Sequence, residues 1–497
     1  MQPWLDRWFA TAERGGVVVL AVIFAVTAWG MLFATYWTTD LHHDLTELYT
    51  WSLNVDWGND KHPPLGSGIT SAWFTVFPAD DWAFKLLAAL NAALGLYSVD
   101  LVARQFVRGE KRLLILLFLL LTPVYWFHGL RLGSTTLLLW TWPLATACFL
   151  RAFHTRAWHW AAAAGLAAAI AVLAKYFSLV LIAGFAMAAI SHPQRKAYFF
   201  SASPWISAIV GIAALSPHMF WLYSTGAAPL AYPQLSHGAA WPSVLKSILW
   251  LWPAGLAYAS PMLVTYVLLV RPAPAALKAA LWPRDPARRM LAVILVCVLV
   301  LPIVSALITK IMLVSLWLLA SFFLIPILVL SDPDLSVSRI GARRLATGIA
   351  IFALVALAGS GAHAWYRHLK GDRDYRQHYQ LMAQAAGEAW DSLTERPLIA
   401  VGGERKLAMG VSFYHPDHPK LATRLREYAL TQNYSPELGG VLICPTRDIR
   451  CVETGQAQIA NHPSARRQDV ELAAVFLGKR GKPESYALFL LPPVPLR

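Results

Sequence analysis

Charge is scarce in this chain: only 14% of its 497 residues are Asp, Glu, Lys or Arg, where soluble domains carry about 25%. Cysteine is scarcer still, at four, which excludes a disulfide framework. No Gly-x-Ser-x-Gly elbow is present, so a Ser-His-Asp hydrolase of that type has no nucleophile turn. Gly402-Gly403 belongs to neither a P-loop nor a Gly-x-Gly-x-x-Gly pattern, and nucleotide binding is unsupported. Apolar residues fill the gap, at 57% with a mean hydropathy of +0.48. That much apolar material excludes disorder. Several runs reach the roughly 20 residues that cross a bilayer, which excludes a single soluble core. The sequence describes a polytopic α-helical membrane protein.

The composition breaks near residue 366. Apolar runs at about 16–37, 82–103, 113–128, 135–151, 158–174, 176–191, 199–222, 244–270, 290–309, 311–330 and 345–365 predict about eleven spans in a transmembrane domain, 1–366. The first run is too long for a cleavable signal and reads as a signal anchor. Residues 367–497 hold 18 Lys or Arg and 14 acids with no spanning run, and predict a soluble domain. Asp100 lies inside a span with Arg104 one turn later, which suggests a local ion pair.

The net charge of +14 is explained by orientation. With the N-terminus cytoplasmic, alternate loops place 18 of the 24 bases before residue 367 on one side, with 6 acids. The other side keeps six bases (Lys61, Lys85, Arg131, Lys175, Lys246, Lys310) and seven acids. This is the positive-inside pattern. It places the C-terminal domain outside and gives no support to nucleic-acid binding.

The C-terminal domain has mixed patterning. Tyr379, Met382, Ala386 and Trp390 fit an amphipathic helix over 376–393. Strand-like runs follow at Pro397–Val401, Val411–Tyr414, Gly440–Cys444, Val470–Leu477 and Tyr486–Leu491. The alternation predicts a small extracytoplasmic α/β domain. Cys444 and Cys451 are compatible with a local disulfide or with two free thiols.

The first outside loop, 38–81, concentrates polar and aromatic groups. Asp44 and Glu47 are three apart, and on a helix they share a face with Leu48 and Trp51. His42, His43, Asp40, Asp44 and Glu47 make a divalent metal conceivable. They lack helical His-x-x-x-His or Glu-x-x-His spacing, and adjacent histidines seldom point at one ion. Arg131, Lys175 and Lys310 sit at outer ends of spans in segments otherwise without charge. Snorkelling explains each alone; together, facing Asp44 and Glu47, they suggest an anion site suited to phosphate. The outside loop 223–243 carries Tyr223, Tyr232, His237 and Trp241 among prolines, either as interfacial anchors or as a cover over a lipid or sugar groove.

Asp44-x-x-Glu47 with Trp51, then His62-Pro-Pro-Leu65, resembles the first extracytoplasmic loop of the GT-C glycosyltransferases. The likeness is to the protein O-mannosyltransferase-like family, which includes the lipid A aminoarabinose transferases. Leu130-Arg131-Leu132, Ala174-Lys175-Tyr176 and Lys310 heading the Trp317 segment are similar to later landmarks of that family. His62 stands where aminoarabinose transferases have Lys before Pro, and Thr136 where many members have an acid.

The resemblance implies transfer of a sugar from a polyprenyl-phosphate carrier to an envelope acceptor, glycolipid ahead of protein. Asp44 or Glu47 would be the base, and Arg131, Lys175, Lys310 and His62 would hold the donor phosphate. Tyr49, Trp51, Tyr176 and Tyr232 would line the acceptor and sugar. Direct displacement implies inversion, and a monophosphate carrier requires no metal cofactor. A transporter or flippase is the rival reading, but it predicts internal repeats that the sequence lacks. A non-catalytic scaffold would leave the outside cations unexplained.

Overall fold

The computed structural model describes residues 2–371, 377–460, 462 and 464–494. Among them, six helices are long and apolar enough to cross a membrane: Ala12–Thr35, Asp81–Ala103, Ser203–Ser224, Trp241–Val270, Pro286–Thr309 and Arg339–Lys370. The remaining apolar runs fold as shorter or broken helices. The run 113–128 is the helix Glu110–Leu119 followed by a separate turn at Val124–His128. The run 311–330 divides into a 3₁₀ turn, Ser315–Ser321, and the helix Leu324–Leu330. Trp158–Ala174 and Leu179–Ser191 are separate helices, broken where Lys175 takes an extended backbone (φ −164°).

The chain forms two compact units. The first comprises Met1–Trp29, Asp56–Gly66 and Leu86–Leu354. Its helices Trp158–Ala174 and Ser203–Ser224 cross at Gly165, where a Cβ would run into the Ser207 carbonyl. Small residues at such crossings let backbones approach closely, and Ser207 Oγ donates to Ala161 O at 2.8 Å across the same contact. Asp100 is almost fully buried. Its carboxylate pairs with Arg112, whose Nε lies 2.7 Å away, rather than with the expected Arg104. Arg104 merely continues the helix, its N–H bonding the Asp100 carbonyl.

The second unit joins Gly30–Val55 and Ser67–Lys85 to Val355–Arg497. Its sheet comprises β1 (Ala400–Gly403), β2 (Lys420–Leu421), β3 (Gly440–Pro445), β4 (Arg466–Leu472) and β7 (Glu484–Leu491), in the order β2-β1-β3-β7-β4. The first three are mutually parallel, and β7 is antiparallel to β3 and β4. β5 (Val475–Phe476) and β6 (Lys479–Arg480) make a separate hairpin. Period-2 alternation splits the sheet's side chains between two layers. Val441, Ile443, Leu488 and Leu490 pack with Met382, Trp390, Leu407 and Val411. Leu442, Cys444, Ala487 and Phe489 pack with Cys451 and the helix Ile449–Ala460. Cys444 and Cys451 form a disulfide with Cα atoms 5.6 Å apart. Cys148 and Cys297 are free.

The amphipathic helix is present as Tyr379–Asp391; residue 376, the expected first position, lies outside the described residues. Val411–Tyr414, expected as a strand, ends the helix Arg405–Tyr414 instead. Glu404 caps that helix by accepting from Leu407 N–H at 3.0 Å. The buried set Leu407, Ala408 and Val411 runs at helical spacing, and this longer pattern overrides the short strand-like run.

Candidate active site

The expected acidic loop residues fall in the second unit and the expected cations in the first. In the second unit, His43–Ser52 is a helix with His42 as N-cap, whose Nδ1 accepts from Asp44 N–H at 3.3 Å. Asp44 lies in the first turn, where the positive end of the helix dipole favours a carboxylate. Its oxygens are 3.3 Å from His42 Nδ1 and 3.4 Å from His43 Nε2, and its side chain is 36% exposed. One turn on, Glu47 is buried. The helix buries Leu45, Leu48 and Tyr49 and packs against Arg405–Tyr414, where Tyr49 meets Phe413.

Tyr49, expected to line the acceptor and sugar, is buried. Only 4% exposed, it packs edge-on against Phe413 (4.9 Å) and Phe74 (5.4 Å). Aromatic pairs of this kind contribute about 0.5–1.5 kcal/mol each, so Tyr49 helps fix the helix in place. Trp51 is half-buried. One ligand atom from each of His42, His43 and Asp44 lies within 4.8 Å of the others, the single such trio among the described residues. The spacing suits a divalent ion.

Asp40, two residues before this helix cap, has an unexpected task. Its carboxylate accepts from Tyr379 N–H (2.6 Å) and Gln380 N–H (3.2 Å), capping a helix 339 residues away in sequence. Beside it, the Tyr414 hydroxyl accepts from Leu41 N–H (3.0 Å) and donates to Asp81 (2.6 Å), which also pairs with Lys85 (3.0 Å). Burial pushes the Asp40 carboxyl up to about 7, and the Asp81 charge adds to the rise; the two amide bonds and Lys85 oppose it. Native Asp40 therefore holds its proton more tightly than it would unfolded. The resulting stability is full below about pH 4 and is lost as pH rises through about 7. Asp40→Asn keeps an accepting oxygen but cannot titrate. Over this interval the wild type should lose on the order of 2–4 kcal/mol relative to the variant, read by thermal unfolding from pH 4 to 8. Parallel curves would refute the assignment.

In the first unit, Lys175 stands in the break between two helices. Its Nζ donates to Thr135 Oγ1 at 2.7 Å and lies 5.2 Å from the Trp317 ring centroid. Trp317 also meets His237 edge-on at 5.5 Å. His237 adjoins Tyr232 (6.3 Å), whose ring receives His62 at 5.6 Å and Lys61 Nζ at 5.3 Å. Burial, followed by the charges of Lys175 and Lys61, holds His237 below the ordinary histidine value. The structure thus gathers Lys175, Lys61, His62, Tyr232, His237 and Trp317.

Lys310 ends its helix and is exposed, with Nζ 5.5 Å from the Trp241 ring centroid. Its backbone joins the cluster's frame: Ala239 N–H bonds Lys310 O and Met312 N–H bonds His237 O. Arg131 is exposed and opens the turn that carries Thr135, closed by Thr136 Oγ1 on the Arg131 and Gly133 carbonyls. The segment 223–243 contains an ordered helix, Ala228–His237.

Tyr176 binds a residue that sequence reasoning missed. His218 bonds the Trp57 carbonyl through Nδ1, which must therefore carry the proton. Its Nε2 then accepts from the Tyr176 hydroxyl at 2.9 Å. Gly58, the next residue, packs so tightly on Trp221 that a Cβ would run into the indole. The helix Ser203–Ser224 thereby clamps the start of the segment that carries Lys61 and His62. Lys61, adjacent to the expected phosphate ligand His62, is legible as a charge facing the same side; His218 offers only a lone histidine in an apolar run.

The family described as dolichyl-phosphate-mannose-protein mannosyltransferase matches residues 61–221. Among curated proteins, none matches the chain. The apo crystal structure of ArnT from Cupriavidus metallidurans is similar over 96% of this chain and 98% of its own, at 13% identity and a TM-score of 0.60. The structure of the same protein bound to undecaprenyl phosphate matches over 95% and 98%, at 14% identity and 0.60. This likeness shows a shared architecture, the GT-C fold expected from the sequence.

Proposed function

We propose that this protein is a membrane glycosyltransferase that moves a sugar from a polyprenyl-phosphate carrier to a cell-envelope acceptor, glycolipid ahead of protein. The reaction takes place at the periplasmic face of the bacterial inner membrane. The observation that carries this reading is the gathering of Lys175, Lys61 and His62 around Tyr232, His237 and Trp317 at the ends of apolar helices. Cations beside aromatic faces suit a phosphate and the sugar attached to it. The GT-C fold and the binding of undecaprenyl phosphate by the structurally similar ArnT support the same ligand class.

Asp44 removes the acceptor hydroxyl proton as that oxygen attacks the anomeric carbon. The bond from that carbon to the phosphate oxygen breaks, and its electron pair leaves with the phosphate. Lys175 and Lys61 stabilise the growing charge, with Arg131 and Lys310 serving the carrier's approach. A single displacement inverts the anomeric centre.

The test is to incubate purified protein with synthetic polyprenyl-phosphate sugars and envelope glycolipid, and to follow transfer by mass spectrometry. Transfer with inversion supports the proposal; no transfer from any such donor refutes it. Cationic side chains can stabilise a phosphate leaving group without a divalent ion, so transfer should survive EDTA. Loss on chelation and restoration by one divalent metal would instead give the His42–His43–Asp44 trio a metal-binding role.

A further inference from the structure

The β5–β6 hairpin reverses direction through Leu477 (φ +46°) and Gly478 (φ +72°). A two-residue turn with positive φ at both positions favours Asn or Gly, because L side chains disfavour the left-handed region. A leucine here is strained, and it is also 72% exposed, with Val475 at 65%. Neither side chain serves the domain core. A large apolar side chain kept exposed at a strained tip needs a reason outside the fold.

The base of the hairpin supplies one. Phe476 packs against Trp37 (4.8 Å) and Trp365 (5.9 Å). Trp37 lies two residues beyond the membrane-length helix Ala12–Thr35, and Trp365 lies in the last turns of Arg339–Lys370. His368 stacks on Trp365 at 5.8 Å, and its Nε2 bonds the Lys479 carbonyl at 3.1 Å. The base of the hairpin therefore packs against the ends of two membrane-length helices, among aromatic residues of the kind typical of a membrane boundary. Tyr366 and Leu369 add exposed apolar surface there.

Basic side chains complete the pattern: Lys479, Arg480 and Lys482 are exposed on or beside the hairpin. Lys370 Nζ sits 5.8 Å from the Tyr366 ring centroid. Arg480 shares its charge with Glu471 at 3.1 Å, an exposed pair that leaves the local balance positive. Apolar residues at a tip with cations behind them form the arrangement of a segment that dips into a lipid interface and contacts anionic headgroups.

We propose that the β5–β6 hairpin is a membrane-dipping anchor, with Leu477 and Val475 in the interface and Lys479, Arg480 and Lys482 on anionic phospholipid. The anchor would add a lipid contact beside the ends of the two membrane-length helices that hold the hairpin. It does not depend on the glycosyltransferase reading.

The test uses the full-length protein in nanodiscs, with Cys148→Ala and Cys297→Ala as background and the native disulfide intact. Leu477→Cys and, separately, Val475→Cys carry an environment-sensitive fluorophore; Glu453→Cys on the exposed side of the helix Ile449–Ala460 is the control. Lipids spin-labelled near the headgroup should quench positions 477 and 475 at least about twofold more than position 453. Adding about 30% phosphatidylglycerol should deepen that quenching, and Lys479→Glu/Arg480→Glu/Lys482→Glu should abolish the increment. Equal quenching at 477 and 453, with iodide quenching both, would overturn the anchor. An increment untouched by charge reversal would overturn its preference for anionic lipid. Disulfide-linked dimers through unlabelled Leu477→Cys would show a second copy as the occupant and overturn the lipid assignment.

Discussion

Asp44→Asn should lower kcat by about 10²- to 10⁴-fold, the range supplied by a positioned general base, while leaving carrier affinity near wild type. Asparagine preserves the shape of the side chain and can still accept a hydrogen bond, but it cannot take the acceptor's proton. The N-cap made by His42 Nδ1 on the residue 44 amide is a backbone contact and survives the substitution. A loss confined to kcat, with an unchanged donor KM, identifies an interaction made in the transition state.

Glu47 is the alternative base, and burial separates the two. Asp44 is partly open at the first turn of its helix, where an acceptor oxygen can reach it, whereas Glu47 is buried one turn later. Glu47→Gln is therefore expected to lower thermal stability more than kcat. Purified variants compared by single-turnover transfer and by thermal unfolding decide the matter. A kcat collapse in Glu47→Gln with an active Asp44→Asn would move the base to Glu47. Intact rates in both would remove carboxylate base catalysis from the mechanism.

Patterns contained in short stretches of sequence were legible. Apolar runs located the long helices, and short strand-like runs bounded by Gly and Pro located β3 and β7 to within two residues at each end. Legibility failed where the deciding partner is distant or the longer pattern competes with the shorter. Val411–Tyr414 reads as a strand until Leu407 and the Glu404 cap are counted with it. Asp100 has Arg104 at helical spacing, yet the guanidinium that reaches it comes from Arg112 on the next helix. Asp40 caps Tyr379–Asp391 across 339 residues, and no periodicity in the first loop encodes that partner.

The candidate site follows the same rule. The charge pattern marked Lys175, because a lone cation in an apolar segment stands out by its cost. Thr135, His237 and Trp317 come to it from segments distant in sequence, and His218 meets Tyr176 across 42 residues.

Lys175→Ala should weaken binding of undecaprenyl phosphate by about 30- to 100-fold, the equivalent of roughly 2–3 kcal/mol for a hydrogen bond to a charged group. Lys175 interrupts its helix in an extended conformation, so the side chain is set by backbone geometry as well as by Thr135 and Trp317. An ammonium held in this way binds phosphate with little rotamer entropy left to lose. Thr135→Val removes the hydroxyl that orients Nζ while keeping the volume, and should cost about 3- to 10-fold. In the double variant that loss should vanish, because Thr135 has nothing left to orient. Lys310→Ala, at an exposed cation beside Trp241, should weaken binding by less than about 10-fold, and that effect should fade in high salt. Microscale thermophoresis with the carrier phosphate alone measures each value without requiring turnover. Full affinity in Lys175→Ala would remove this lysine from the phosphate site. Additive losses for Lys175→Ala and Thr135→Val would mean that Thr135 acts independently of the lysine it touches.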